Sequence, residues 1–177
     1  MKFIKTKLSG IYLLKNEVFK DKRGFFLETF RSDIYKKKKI NVNFVQENHS
    51  RSKKNTLRGL HFQKNKPQCQ LVTVIRGKIY DVVVDIRKQS KTYGKWFGTY
   101  LSDKGIRQIY MSEGFAHGYC VLSDYADLHY KVTETYTPMN ECGLNYKDPD
   151  VNIKWPVKKP IIKKRDQDFL LLKELKL

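Results

Sequence analysis

Cysteine is sparse: Cys69, Cys120 and Cys142 are an odd number without CxxC spacing, so neither a disulfide framework nor a zinc knuckle is indicated. Idle or buried thiols in a reducing cytoplasm are the simpler reading. No stretch approaches the roughly 20 apolar residues of a membrane span. Charges stand at the very start, Met1-Lys2-Phe3-Ile4-Lys5, with no long apolar run behind them, so no signal peptide is expected. Acidic residues are few as well, 18 against 36 Lys and Arg, giving a formal net charge of +18. Such an excess alone would point to nucleic acid or an anionic membrane surface. However, the basic residues are scattered and mostly lysine, while arginine, the usual base reader and bidentate phosphate clamp, is scarce. A solubilising lysine-rich surface accounts for the charge. Nucleic acid and membrane are not expected as partners, whereas a small polyanion such as a nucleotide diphosphate fits.

Sustained helical periodicity is also missing. A chain of 177 residues is long enough for one domain, 1–177, with a continuous core. Its middle is dominated by β-branched runs. Leu71 to Asp85 reads as two strands broken by Gly77, which predicts a tight hairpin. Further runs at Trp96 to Leu101, Ile106 to Met111, Gly118 to Leu122 and Ala126 to Thr133 are separated by the turns Ser102-Asp103-Lys104-Gly105 and Ser112-Glu113-Gly114. Many short strands at this spacing predict an all-β antiparallel sandwich or barrel. Two peripheral helices are expected, Ser32 to Lys39, capped by Ser32 or Asp33, and Asp166 to Leu175.

Four histidines are candidates for chemistry. In Thr56-Leu57-Arg58-Gly59-Leu60-His61-Phe62-Gln63, strand alternation places Gly59, His61 and Gln63 on one face and Arg58, Leu60 and Phe62 on the other. Arg58 must then reach a site at His61 by a bend at Gly59 or from the barrel mouth. His117 follows a turn in Glu113-Gly114-Phe115-Ala116-His117-Gly118. Each, taken alone, is more often a hydrogen-bonded core histidine than a catalyst. A metal on His61, Gln63 and His117 would be a weak site, because the segment reads His-Phe-Gln instead of His-x-His and no glutamate follows; no metal is expected.

Five motifs fall in order along the chain: Asp21-Lys22-Arg23-Gly24-Phe25-Phe26-Leu27-Glu28-Thr29-Phe30-Arg31, Gln46-Glu47-Asn48-His49-Ser50, Leu57 to Gln63, Glu113 to Gly118, and Asp148-Pro149-Asp150 with Trp155-Pro156. Over nearly its whole length the series resembles the dTDP-4-dehydrorhamnose 3,5-epimerase family. That resemblance implies a cupin-type double-stranded β-helix, or jelly-roll barrel, with short peripheral helices. It also implies a cytoplasmic, cofactor-independent isomerase of a nucleotide-linked 4-keto sugar, dTDP- or GDP-linked, feeding a surface polysaccharide. By resemblance His61 is the base, Asp166 holds its other ring nitrogen, and Tyr130 is the acid on the opposite face. Such chemistry needs those groups, because a hydrogen beside a ketone leaves as a proton when the charge can spread into an enolate oxygen. Substrate contacts carried over in the same way are Arg58 on the diphosphate, His117 near the sugar or base, Gln46, Asn48 and Glu28 around the nucleotide, and Tyr136 near the sugar. Arg23 and Phe25 belong to a segment that the family exchanges between subunits, which implies a homodimer.

The chain departs from the family at Gln70, where a lysine aimed at the keto oxygen usually precedes Leu-Val, and at Thr73, where an arginine or similar residue is usual. An amide N–H can still donate but lacks the charge, so Lys64 or Lys66 is a candidate substitute from the preceding loop. Substrate identity is accordingly open. A C3-only epimerase, an epimerase of a GDP-linked 4-keto heptose and a ketoisomerase remain alternatives, as do a metal-dependent cupin enzyme and a non-catalytic jelly-roll module for anionic sugars or nucleotides.

Overall fold

The computed structural model describes residues 1–177. In chain order the strands are β1 (Lys2–Lys5), β2 (Ile11–Lys15), β3 (Val18–Asp21), β4 (Gly24–Leu27), β5 (Gln46–Lys53), β6 (Leu57–Gln63), β7 (Gln70–Arg76), β8 (Lys78–Asp85), β9 (Trp96–Ser102), β10 (Gln108–Met111), β11 (Phe115–Val121), β12 (Tyr125–Val132) and β13 (Glu141–Gly143). They form a six-stranded sheet, β1-β2-β10-β7-β12-β5, a five-stranded sheet, β13-β6-β11-β8-β9, and the separate hairpin β3-β4. Every strand pairing is antiparallel. The two large sheets face each other as the jelly roll expected.

Side chains from both sheets fill the space between them: Ile11, Val72, Val74, Ile109 and Leu128 meet Ile79, Val83, Leu101, Phe115 and Val121. The other face of β6, β8 and β11 is covered too. There Leu60, Val82, Val84 and Ala116 pack under Leu144, Val151, Leu172 and Leu175 of the C-terminal segment. Burial on both faces explains why β8 reads as a nearly unbroken β-branched run. Over the six-stranded sheet, Tyr35 of α1 (Ser32–Lys37) closes a smaller cluster with Leu14, Leu71 and Tyr110.

Three local expectations need correction. Gly77 does not turn a hairpin, since β7 and β8 lie in different sheets; it is a corner where the chain crosses between layers. Its φ is +87°, and a side chain there would collide with the Tyr125 carbonyl, so glycine is required by both conformation and space. The helix at Ser32 ends at Lys37, and its N-cap is Arg31, without a side-chain cap. Asp33 instead lies in the first turn and pairs with Arg31 at 2.8 Å, where its charge complements the helix dipole. The expected helix over Asp166 to Leu175 is only α2 (Lys164–Gln167) and a 3-10 turn at Leu172–Glu174. Between them the backbone is engaged elsewhere: Asn145 N–H donates to the Leu170 carbonyl, and Leu172 N–H donates to Asp148 Oδ2 at 2.6 Å. Tertiary hydrogen bonds override the local helical preference.

Candidate active site

A cavity of about 350 Å³ opens between the sheets. Its walls carry Gln46, Asn48, Arg58, His61, Gln70, His117, Tyr130 and Tyr136, so eight of the residues selected from sequence converge there. His61 comes from β6 in the five-stranded sheet and Tyr130 from β12 in the six-stranded sheet. They therefore approach the cavity from opposite walls.

Arg58 and His61 share the cavity because β6 is irregular between them. The pairing with β11 shifts register between His117 opposite His61 and Tyr119 opposite Arg58, and a bulge of this kind re-aims a side chain that strict alternation would send to the other face. Gly59, at φ +115°, permits the irregularity. A Cβ there would lie 2.6 Å from both the Gly118 Cα and the His117 carbonyl. Arg58 Nε donates to Ser52 Oγ at 2.9 Å, leaving the rest of the guanidinium at the cavity edge.

Asp166, buried behind β6, sits with Oδ2 3.0 Å from His61 Nε2. The contact is close but bent, since Nε2 makes no hydrogen bond of good geometry. Burial opposes ionisation of Asp166, but His61, the Gly59 N–H and Arg165 outweigh it and hold the carboxyl below its ordinary range. The other ring nitrogen, Nδ1, is 4.0 Å from Glu141 Oε1, and Glu141 lines the cavity. The cavity side of the His61 ring is thus Nδ1. Burial raises the Tyr130 phenol above its ordinary value, Tyr119 adds to the effect and Arg58 opposes it, so the neutral, proton-donating form persists through neutral pH.

Several participants were not singled out from sequence. Asp81, fully buried in β8, takes His117 Nε2 at 2.8 Å, so each cavity histidine is backed by a buried carboxylate. An acid inside the run Tyr80-Asp81-Val82 was a visible signal, because a carboxylate is seldom buried without a partner. Glu141 and Arg165 carried no such signal; β13, paired with β6, and α2 bring them to the rim. Glu141 Oε2 accepts from the Tyr136 hydroxyl at 2.8 Å and from Arg165 Nη1, and Arg165 Nε reaches Asp166 Oδ1 at 3.3 Å.

Other expected residues lie elsewhere. Arg23 pairs with Asp21 and has an 85% exposed side chain, Phe25 is 62% exposed, and Glu28 pairs with Arg31; none lines the cavity of its own chain. All three belong to the β3-β4 hairpin or its exit, which projects from the barrel. The cavity lining contains no lysine; Lys64 lies in the adjoining cleft beside Gln63 and Gln70, and Lys66 lines neither. His61, Gln63 and His117 do line one cavity, but no group of three or more His, Cys, Asp or Glu is arranged to hold a metal. No helix is long and apolar enough to cross a membrane.

A sequence model of the dTDP-4-dehydrorhamnose 3,5-epimerase family matches residues 5–174. The chain is 47% identical over 176 residues to the dTDP-4-dehydrorhamnose 3,5-epimerase of Methanothermobacter thermautotrophicus, covering 98% of this chain and 95% of the relative. It is 41% identical over 169 residues to a dTDP-4-dehydrorhamnose 3-epimerase of Streptomyces niveus, covering 94% and 82%. Among solved structures, the dTDP-6-deoxy-D-glucose 3,5-epimerase of Legionella pneumophila, in complex with dTDP-4-keto-L-rhamnose, superimposes with a TM-score of 0.95 at 40% identity, covering 98% and 94%. With the family model matching residues 5–174 and relatives this similar in sequence and fold, the chain belongs to the dTDP-4-dehydrorhamnose 3,5-epimerase family, isomerases of sugar nucleotides.

Proposed function

We propose that the protein inverts C3 and C5 of a dTDP-4-keto-6-deoxy sugar by successive proton removal and return. The observation that carries this reading is the placement of His61 and Tyr130 on opposite walls of one cavity. Inversion requires a proton to leave one face of the carbon and arrive on the other, which a base and an acid on facing sheets supply. His61 takes the proton at Nδ1, Asp166 stabilises the imidazolium through Nε2, and Tyr130 returns a proton from the far side. Gln70 offers an amide N–H to the keto oxygen, and Arg58 engages the diphosphate. The thymidine nucleotide is favoured because the Legionella relative is named in complex with a dTDP sugar, and a Bacillus anthracis relative with TDP and pyrophosphate.

Arg23, Phe25 and Glu28 fit a homodimer in which the β3-β4 hairpin of one copy completes the cavity of the next. Their position outside the cavity of their own chain, and the exposure of Phe19, Phe25 and Phe26, support this arrangement. Inversion at C3 alone is the second reading, favoured by the similarity to the Streptomyces niveus 3-epimerase. Incubation of the dTDP-4-keto-6-deoxy sugar in deuterium oxide, followed by NMR, tests both. Label at C3 and C5 is expected, label at C3 only selects the second reading, and no label at either refutes the epimerase assignment. Tyr130→Phe should exchange the hydrogen on the His61 side while forming inverted product at least 100-fold more slowly, as expected when a general acid is lost.

A further inference from the structure

We infer that Arg165 is a positioning residue that keeps His61 in its proton-accepting form by neutralising part of the negative charge that flanks the ring. This rests on His61 being the base. The imidazole stands between two carboxylates, Asp166 at 3.0 Å from Nε2 and Glu141 at 4.0 Å from Nδ1. Opposite charges this close favour the protonated ring, and an imidazolium cannot accept a proton. Arg165 takes one oxygen of each carboxylate, Glu141 Oε2 through Nη1 and Asp166 Oδ1 through Nε, and leaves the other oxygen of each toward His61.

Two carboxylates and one guanidinium leave a net single negative charge around the base. Without Arg165 both carboxylates would act on the ring uncompensated, whereas the single net negative charge that remains still favours an imidazolium formed during turnover. The guanidinium is held over the Phe169 ring, 5.9 Å from its centroid, and Phe169 packs edge-on against His61 at 5.6 Å, so the cation has a fixed seat. The remaining polar groups facing the ring are His117 from the neighbouring strand β11, backed by Asp81 of β8, Tyr119 and Arg58 along the same wall, and Tyr130 opposite. None of these bonds to both carboxylates.

The test follows the pH dependence of kcat/KM, together with NMR titration of the His61 ring in histidine-labelled protein, for wild type, R165M, R165K, E141Q and R165M/E141Q. In R165M the acid limb and the His61 titration should both rise by about one pH unit, a tenfold loss of kcat/KM below the limb and little loss above it. R165K should remain near wild type, E141Q should shift the opposite way, and the double variant should return toward wild type. A His61 titration in R165M that superimposes on wild type, or a defect confined to KM with an unmoved profile, overturns the inference and makes Arg165 a plain substrate contact. Should R165M fail to fold, the shift in E141Q decides the matter, and its absence overturns the inference equally. The ring titration needs no turnover, so a protein that exchanges no substrate hydrogen would refute the epimerase reading while still deciding this one.

Discussion

Asp166→Asn isolates the charge behind the base while preserving its shape. The carboxylate lies 3.0 Å from His61 Nε2; at an effective dielectric constant near 20, charges at that spacing interact by about 5 kcal/mol. His61 is 30% exposed, and an asparagine retains a dipole, so the loss of imidazolium stabilisation falls to about 3–4 kcal/mol, or roughly 200- to 900-fold in kcat. Substrate binding should change little, because Asp166 is buried behind β6 and does not line the cavity. Its Gly59 N–H contact, 3.3 Å long, can be kept by the amide oxygen. Steady-state kinetics on the dTDP-4-keto sugar, with circular dichroism and a thermal melt to verify folding, measure the effect. A kcat within threefold of wild type, or a loss expressed only in KM, would refute the role assigned to Asp166.

Gln70→Lys should raise kcat by about 5- to 15-fold, since an ammonium stabilises an enolate oxygen better than an amide by about 1–1.5 kcal/mol; an unchanged or lower kcat in saturation kinetics would show that the keto oxygen does not face β7. Asp85 concerns stability instead. Fully buried, it is bonded to Arg87, Ser90 and Thr92, and these bonds overcome burial and lower its carboxyl from 3.8 to about 2. Because the folded value is depressed, this stabilisation is fully present above pH 3.8 and disappears as the pH falls through about 2. Asp85→Asn should therefore cost about 2 kcal/mol at pH 7 by urea denaturation, with the gap from wild type closing toward pH 2; a pH-independent gap would count against the linkage.

The architecture was legible because strand spacing and turn residues are local properties. Trp96 to Leu101, predicted from its apolar run, lies within β9, and Ala126 to Thr133 corresponds to β12 within one residue at each end. The partner of each strand was less legible. The Gly77 break looks the same whether the chain doubles back or crosses to the other sheet, and burial of β8 on both faces removes the alternation that would have marked its partners. His61 and Tyr130, the proposed base and acid, stood out through ordered motifs, not as histidine and tyrosine residue types. Asp81 was readable as an acid stranded in an apolar run. Glu141 and Arg165 were not, because their relation to His61 depends on how β13 and α2 dock against β6.

Docking of the C-terminal segment also links stability to the placement of the charges around His61. Asp148 is buried, and its carboxylate accepts from the Asp150, Val151 and Leu172 backbone N–H groups. These bonds hold the segment that packs Leu172 and Leu175 over the five-stranded sheet. Asp166 and Arg165 lie between the Asp148 loop and that anchor, and α2 packs directly on β6. Placement of the charges around His61 therefore depends on a chain terminus fixed by buried hydrogen bonds and apolar packing, away from the reacting carbon. Substitutions that loosen this anchor should depress turnover before they unfold the barrel, because a base needs its counterions within fractions of an ångström, whereas the core between the sheets does not include the segment.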